Sequence, residues 1–253
     1  MNGPYLTSMY LRPERIPPEG GFPFDLPVVK SLGEFRFHPR VTFFVGENGS
    51  GKSTLVEAVA VAYGINAEGG SRSLRFSTRA SHSRLGERLT LNKTPIMPAD
   101  AYFLRAESFY NVATELERLD AEPARARPLL ESYGGLSLHE QSHGESFFSL
   151  FAHRFGARGL YILDEPEAAL SPQRQLQFLA LLHDYCKQGC QFIIATHSPI
   201  ILAYPDAAIW VLDERGLTLI PYQATDPFKI TRNFLQNPQR SLDVLLRAED
   251  ERA

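Results

Sequence analysis

The sequence predicts an α/β fold with a mostly parallel central sheet. Three apolar stretches carry that prediction, because each ends in residues that can do chemistry. Val41–Val45 runs into the glycine-punctuated turn Gly46–Gly51, Gly159–Leu163 into Asp164 and Glu165, and Gln191–Ala195 into Thr196 and His197. Runs that are apolar at every position suit strands buried on both faces, as in a parallel sheet covered by helices. In open sheets of this kind ligands bind at the carboxyl ends of the strands, so the three endings are expected to converge on one site.

The first stretch is the most specific. Gly46, Gly51, Lys52 and Ser53 occupy the four fixed positions of a phosphate-binding loop, within the run Gly46-Glu47-Asn48-Gly49-Ser50-Gly51-Lys52-Ser53-Thr54. Glycines let the backbone curl so that successive N–H groups point inward, and the helix that opens at Lys52 adds its positive N-terminal end. Lys52 is then placed to reach the β- and γ-phosphates, and the Ser53 hydroxyl to ligate Mg²⁺. Leu55, Val56, Val59 and Tyr63 continue the helix and Gly64 ends it. The chain is therefore expected to bind a nucleoside triphosphate.

The other two endings supply the rest of a hydrolytic set. Asp164 is expected to hold Mg²⁺ through its water shell. Glu165 is expected to orient or deprotonate an attacking water, and His197 to donate a hydrogen bond to the γ-phosphate. Singly, an acidic pair at a strand end can be helix capping and a lone histidine is more often structural. Behind an intact phosphate loop, in this order, the functional reading is the stronger one.

The remaining chain is less specific. Tyr5–Leu11 and Glu34–Phe37 read as short strands of a small β-layer preceding the phosphate loop. Tyr10, Phe22, Phe35 and Phe37 suit either adenine stacking or core packing. From Ala67 to Met97 the composition shifts to Ser, Arg and Gly. Arg72, Arg75, Arg79, Arg84 and Arg88 face a single acid, Glu87, between Ser71 and Arg88, which reads as a solvated surface or a basic face. A strand at Ala101–Leu104 leads to Arg105, Glu107 and a helical stretch from Ser108 to about Leu119. A second helix carries Phe147, Phe148, Leu150 and Phe151. Ser171 and Pro172 suit the start of a third, with Leu176, Leu179, Leu182 and Tyr185 along one face and Gly189 at its end. Ile209–Leu212 and Leu217–Ile220 read as a hairpin.

Composition excludes little but agrees. The 253 residues suffice for one large domain, and the formal net charge of −3 gives no global pull toward nucleic acid or membrane. No apolar run approaches the roughly 20 residues that span a bilayer, and the N-terminus lacks the apolar core of a signal peptide. Cys186 and Cys190 read as small core residues. A cytoplasmic location is the expectation.

These motifs, in this order, resemble the ATP-binding-cassette type of ATPase, and within it the soluble, non-transporter branch related to chromosome-maintenance proteins. The likeness runs from about Val28 to Leu219. Gly46–Thr54 matches the first nucleotide motif, Leu160–Glu165 the second, Ser142 and Gly144 the signature loop, and His197 the switch histidine. The resemblance implies a P-loop, RecA-like, mostly parallel sheet flanked by helices, with an antiparallel β-layer and a small helical lobe at about 67–150, all in one domain over 1–253. It implies ATP and Mg²⁺ bound by Gly46, Asn48, Gly49, Ser50, Gly51, Lys52, Ser53, Thr54 and Asp164. It also implies an ATP-dependent homodimer, in which Ser142 and Gly144 of one chain cap the γ-phosphate held by the other.

The chain departs from the commonest pattern at several points. Gln141, His143 and Glu145 replace the usual signature residues, and Ser171 stands where transporters carry an aspartate. No glutamine occurs between Thr54 and Gln141, so Glu107 is the candidate replacement for the usual metal-coordinating glutamine. Three readings follow. One is a soluble ATPase acting on nucleic acid or an effector protein. The second is the ATP-binding subunit of a membrane transporter with its permease. The third is a nucleotide switch with little turnover, which Glu165 and His197 argue against.

Overall fold

The computed structural model describes residues 4–71, 84–120, 131 and 143–250. In chain order the first half comprises β1 (Leu6–Leu11), α1 (Pro27–Lys30), β2 (Phe35–Arg36), β3 (Val41–Gly46), α2 (Lys52–Tyr63), β4 (Gly70–Ser71), α3 (Leu85–Arg88), β5 (Leu89–Lys93), β6 (Asp100–Arg105) and α4 (Phe109–Asp120). The second half comprises α5 (His143–Ser149), β7 (Gly159–Asp164), α6 (Pro172–Lys187), β8 (Gln191–Ala195), β9 (Ala207–Asp213), β10 (Gly216–Ile220), α7 (Asp226–Gln236) and α8 (Pro238–Asp250).

Among the described residues these strands form a seven-stranded sheet in the order β10-β9-β3-β8-β7-β6-β4 and a three-stranded layer in the order β2-β1-β5. The five inner strands of the large sheet run parallel, and β10 and β4 close its edges antiparallel. The expected mostly parallel sheet with an antiparallel layer is therefore present.

Alternate residues of each inner strand supply two separate cores, as strand pleating dictates. Phe43, Tyr161, Leu163, Phe192 and Ile194 face α4, α5 and α6. Phe44, Leu160, Ile162, Ile193 and Ala195 face α2 and the small layer. Gln191 fastens that layer to the sheet. Its side-chain oxygen accepts from the N–H groups of Tyr5 and Leu6 (both 2.9 Å), and its amide donates to the carbonyls of Leu6 and His38 (2.8 and 3.1 Å). Cys186 and Cys190 are free and buried, as expected of core residues.

Several expectations need adjustment. The stretch between Ala67 and Met97 is not uniformly a surface loop. Its end, β5, pairs with β1 across the small layer, and α3 packs on α2 so closely that a Cβ on Gly86 would lie 2.6 Å from Val61. β4 and β6, within 67–150, also lie in the large sheet. Arg72, Arg75 and Arg79 lie outside the described residues. The strand expected over Glu34–Phe37 shortens to β2, and the hairpin strand β9 also joins β3 in parallel. On α6 the buried stripe is Phe178, Leu182 and Cys186, whereas Leu176 is exposed, because the face turned to the sheet follows the i, i+4, i+8 row. Phe35 and Phe37 are buried, with Phe35 against Phe44 and Trp210, so packing accounts for both.

Candidate active site

The strand register explains why sequence-distant motifs meet. Ala195 on β8 pairs with Phe44 of β3 on one side and with Asp164 of β7 on the other. The next residues lock the ends together: Thr196 donates its N–H to the Phe44 carbonyl (3.1 Å) and Glu165 to the Ala195 carbonyl (2.9 Å). The phosphate loop, the acidic pair and the histidine loop therefore leave the sheet side by side.

The phosphate loop is shaped by its glycines. Gly49 and Gly51 adopt positive φ (82° and 96°), which side chains resist. A Cβ on Gly46 would lie 2.5 Å from the Leu212 carbonyl oxygen, so β9 admits only glycine there. Gly51 is the residue from which α2 starts. The Lys52 amine is buried and donates to the carbonyls of Gly46 and Glu47 (both 3.0 Å). Burial lowers its pKa, while Glu165, Asp164 and Glu167 pull the other way. The Ser50 hydroxyl is buried with no hydrogen-bond partner among the described residues, so a polar atom of the loop is left for a ligand.

Asp164 lies at the end of β7 with a buried carboxylate. Burial pushes its pKa up to about 7, opposed by a hydrogen bond with Ser53 and by the Arg105 charge, and helped by Glu165 and Glu107. Its Oδ1 has no partner among the described residues. A buried carboxylate oxygen left over beside a serine hydroxyl fits the donor set of Mg²⁺, which takes few protein oxygens and completes its shell with water and phosphate. Ser53 and Asp164 are thus the residues that would hold the metal.

Glu165 follows in the left-handed conformation (φ 51°, ψ 53°), a costly choice for a residue with a side chain. That conformation turns the chain sharply at the end of β7 and leaves the carboxylate partly exposed. Its Oε1 lies 3.8 Å from His197 Nε2. Burial, with the Lys52 charge adding to it, lowers the His197 pKa, so the imidazole is neutral at pH 7 and the contact is not an ion pair. Nε2 has no hydrogen-bond partner among the described residues.

Three further residues belong to this site. Glu167 accepts the His197 backbone N–H (2.6 Å) and so ties the histidine loop to the turn after β7. Arg105, paired in register with Asp164, bridges the phosphate-loop helix to the acidic strand end. It donates to Glu57 (2.7 Å) and to Glu107 (3.3 Å), and its Nε lies 3.9 Å from Asp164 Oδ2. Glu107 is thus at the correct end of the sheet, though largely exposed. Gly144 stands at the start of α5, and Ser142 lies outside the described residues.

Comparison with known proteins follows the same lines. A family described as "AAA domain, putative AbiEii toxin, Type IV TA system" matches residues 129–203, and one described as "AAA domain" matches residues 29–94. The cytochrome c biogenesis ATP-binding export protein CcmA of Rhizobium johnstonii is 30% identical over 166 residues, covering 61% of this chain and 74% of that protein. The chain belongs to the ATP-binding-cassette ATPases. Solved structures similar to this ATP-binding-cassette protein include the SMC head domain from Thermotoga maritima, with 19% identity, 86% of this chain and 99% of that one covered, and a TM-score of 0.46. Another is cbiO1 from Clostridium perfringens, part of the transporter complex cbiONQ, with 20% identity, 82% and 89% covered, and a TM-score of 0.44. Among the described residues no helix is long and apolar enough to cross a membrane.

Proposed function

We propose that the protein is a Mg²⁺-dependent ATPase whose hydrolytic step is run by Glu165 and His197 beside the phosphate loop. The observation that carries this reading is the register Phe44–Ala195–Asp164, which sets the three motifs at one edge. Bound Mg²⁺ would neutralise phosphate charge, held by Ser53 and Asp164. Lys52 and the loop N–H groups bind the phosphates. Glu165, partly exposed, accepts a proton from the attacking water, and neutral His197 donates a hydrogen bond where charge grows on the γ-phosphate. Glu167 keeps His197 in position through its backbone. General-base catalysis contributes roughly 10²- to 10⁴-fold, so Glu165→Gln should lose turnover by about that factor while still binding ATP. Lys52→Ala should lose binding itself. Wild-type turnover by Glu165→Gln would sink the assignment.

Turnover is proposed to need two copies, each lending Ser142 and Gly144 to the other's ATP. In a twofold dimer built this way, Ser142→Arg and Lys52→Ala are each inactive, yet a mixed dimer contains one intact composite site. Mixing the two variants should restore activity to about a quarter of wild type, if copies exchange at random. No recovery on mixing would remove the composite site.

The proposed partner is nucleic acid or an effector protein, in the cytoplasm. Support comes from the five arginines between Ser71 and Arg88, of which Arg84 is exposed. Absence of DNA and RNA binding at low salt, where phosphate contacts are strongest, would leave the effector protein. The name of the relative, an ATP-binding export protein, supports a second reading as a transporter subunit. The missing glutamine between Thr54 and Gln141 favours the first.

A further inference from the structure

Arg105 ends β6 opposite Asp164 and faces three carboxylates at once. One terminal nitrogen donates to Glu57 (2.7 Å), an acid whose side chain is 8% exposed, and the other to the exposed Glu107 (3.3 Å). The third nitrogen, Nε, is buried, lies 3.9 Å from Asp164 Oδ2 and has no hydrogen-bond partner among the described residues. Asp164 Oδ1 is also without one. Pairing with Glu57 and Glu107 accounts for the two terminal nitrogens. It does not account for Nε, and a buried donor left unpaired costs about 1–3 kcal/mol. Nε falls short of Asp164 by about 1 Å, since an N–H···O bond spans about 2.9 Å. The short bond to Glu57 holds the guanidinium there, and a planar fork moves as one piece. Glu57 lies on α2, the helix that also carries Ser53, so one side chain links both residues that would hold the metal.

We propose that Arg105 is a positioning residue for the metal: its Nε–H holds Asp164 Oδ2 once Oδ1 is given to Mg²⁺ or to the water around it. The leftover donor and the leftover acceptor then serve the two oxygens of one carboxylate, and one event completes both. Outer-shell hydrogen bonds orient a ligand carboxylate, and losing one costs roughly 10–100-fold in metal affinity. Charge alone predicts the opposite sign. A cation beside the site repels Mg²⁺, so removing an Arg105 that acted only through its charge would tighten metal binding. That repulsion is small here, because Glu57 and Glu107 offset the guanidinium charge at 2.7 and 3.3 Å. Orientation is therefore expected to outweigh repulsion. This role rests on the proposed metal site of Ser53 and Asp164, and adds the group that sets the angle of the Asp164 carboxylate.

Metal binding can be read without turnover. A fluorescent, non-hydrolysable ATP analogue is bound to the 253-residue chain in EDTA, and Mg²⁺ is then titrated onto the loaded protein. Arg105→Met should bind the analogue in EDTA as wild type does, since the phosphate loop is untouched. It should need roughly 10–100-fold more Mg²⁺ for half-saturation. Arg105→Lys keeps a charge for Glu57 but has no second nitrogen to turn toward Asp164. It should show the same Mg²⁺ shift with a smaller loss of urea midpoint than Arg105→Met. Either variant half-saturating at the wild-type Mg²⁺ concentration or below overturns the proposal. So does a loss of analogue affinity in EDTA as large as the Mg²⁺ shift, which a merely structural role would give. Asp164→Asn separates this role from the site it serves. If wild type does not respond to Mg²⁺, or Asp164→Asn responds as wild type does, the metal site is misassigned and the Arg105 role falls with it. If Asp164→Asn shifts the midpoint and Arg105→Met does not, the metal site stands and only the Arg105 role is lost.

Discussion

Replacing Asp164 by asparagine is expected to stabilise the nucleotide-free protein at neutral and alkaline pH, although it removes a residue of the site. Burial raises the Asp164 carboxyl from 3.8 to about 7. Between those values the folded chain keeps a proton that the unfolded chain has released. Folding therefore takes up a proton in this window, and stability falls as pH rises through it. At about 1.4 kcal/mol per pH unit, the loss accumulated above pH 7 is on the order of 4 kcal/mol. Asparagine never ionises and keeps an acceptor for Ser53. The attraction of Arg105 across 3.9 Å already holds that value down, so it is not deducted a second time.

The net expectation is a gain of about 4 kcal/mol near pH 8 that shrinks to near zero around pH 4, where both side chains are neutral. Urea unfolding of both proteins across that range, with chelator and without nucleotide, reads the difference as a midpoint shift at constant slope. An Asp164→Asn protein no more stable than wild type near pH 8, or a gap that does not change with pH, would refute the reasoning. A gain would mark Asp164 as a residue kept for its ligand at a cost in stability.

Gln191→Met, close in volume, should leave the N–H groups of Tyr5 and Leu6 and the carbonyls of Leu6 and His38 without their partner. At roughly 1–3 kcal/mol per stranded buried group, with partial relaxation, a loss of about 3–5 kcal/mol is expected in urea unfolding, and less than about 1 would show the latch to be dispensable. Arg105→Met should destabilise by about 1.5–3 kcal/mol because it removes the 2.7 Å charge-assisted bond to Glu57, whose side chain is 8% exposed. Adding Glu57→Gln should recover more than half of that loss in a double-mutant cycle, and additive effects would mean the two do not interact.

The motifs that meet at the candidate site were legible because their signals are local. A phosphate loop is a strand, a turn and a helix start within a dozen residues, and the glycines that permit the turn are the ones the geometry requires: Gly51 at φ 96° and Gly46 against Leu212. Asp164-Glu165 and His197 were likewise marked by the apolar strands that precede them. The central sheet followed from the same strands, since each is buried on both faces. Even the placing of the motifs at one edge needed only the rule that ligands sit at strand carboxyl ends.

What escaped depends on neighbours distant in the chain. Glu167 matters because β8 delivers the His197 N–H to it, and nothing in Pro166-Glu167-Ala168 distinguishes that acid from one solvated on a turn. Arg105 stands out only once β6 is known to pair with β7, which sets it opposite Asp164 and within reach of Glu57 on α2. Before pairing, the same sequence gives a strand that ends in a charge. β5 was hidden for the opposite reason: Leu89 and Leu91 alternate as a half-buried strand should, but the arginines before them dominate the composition. In α7 and α8 a helical period is present in the sequence, while the exposure of its apolar residues is a tertiary fact. Periodicity marks a helix as amphipathic; only the packing of the remaining chain shows which apolar faces it buries, and Ile230 and Leu245 stay exposed.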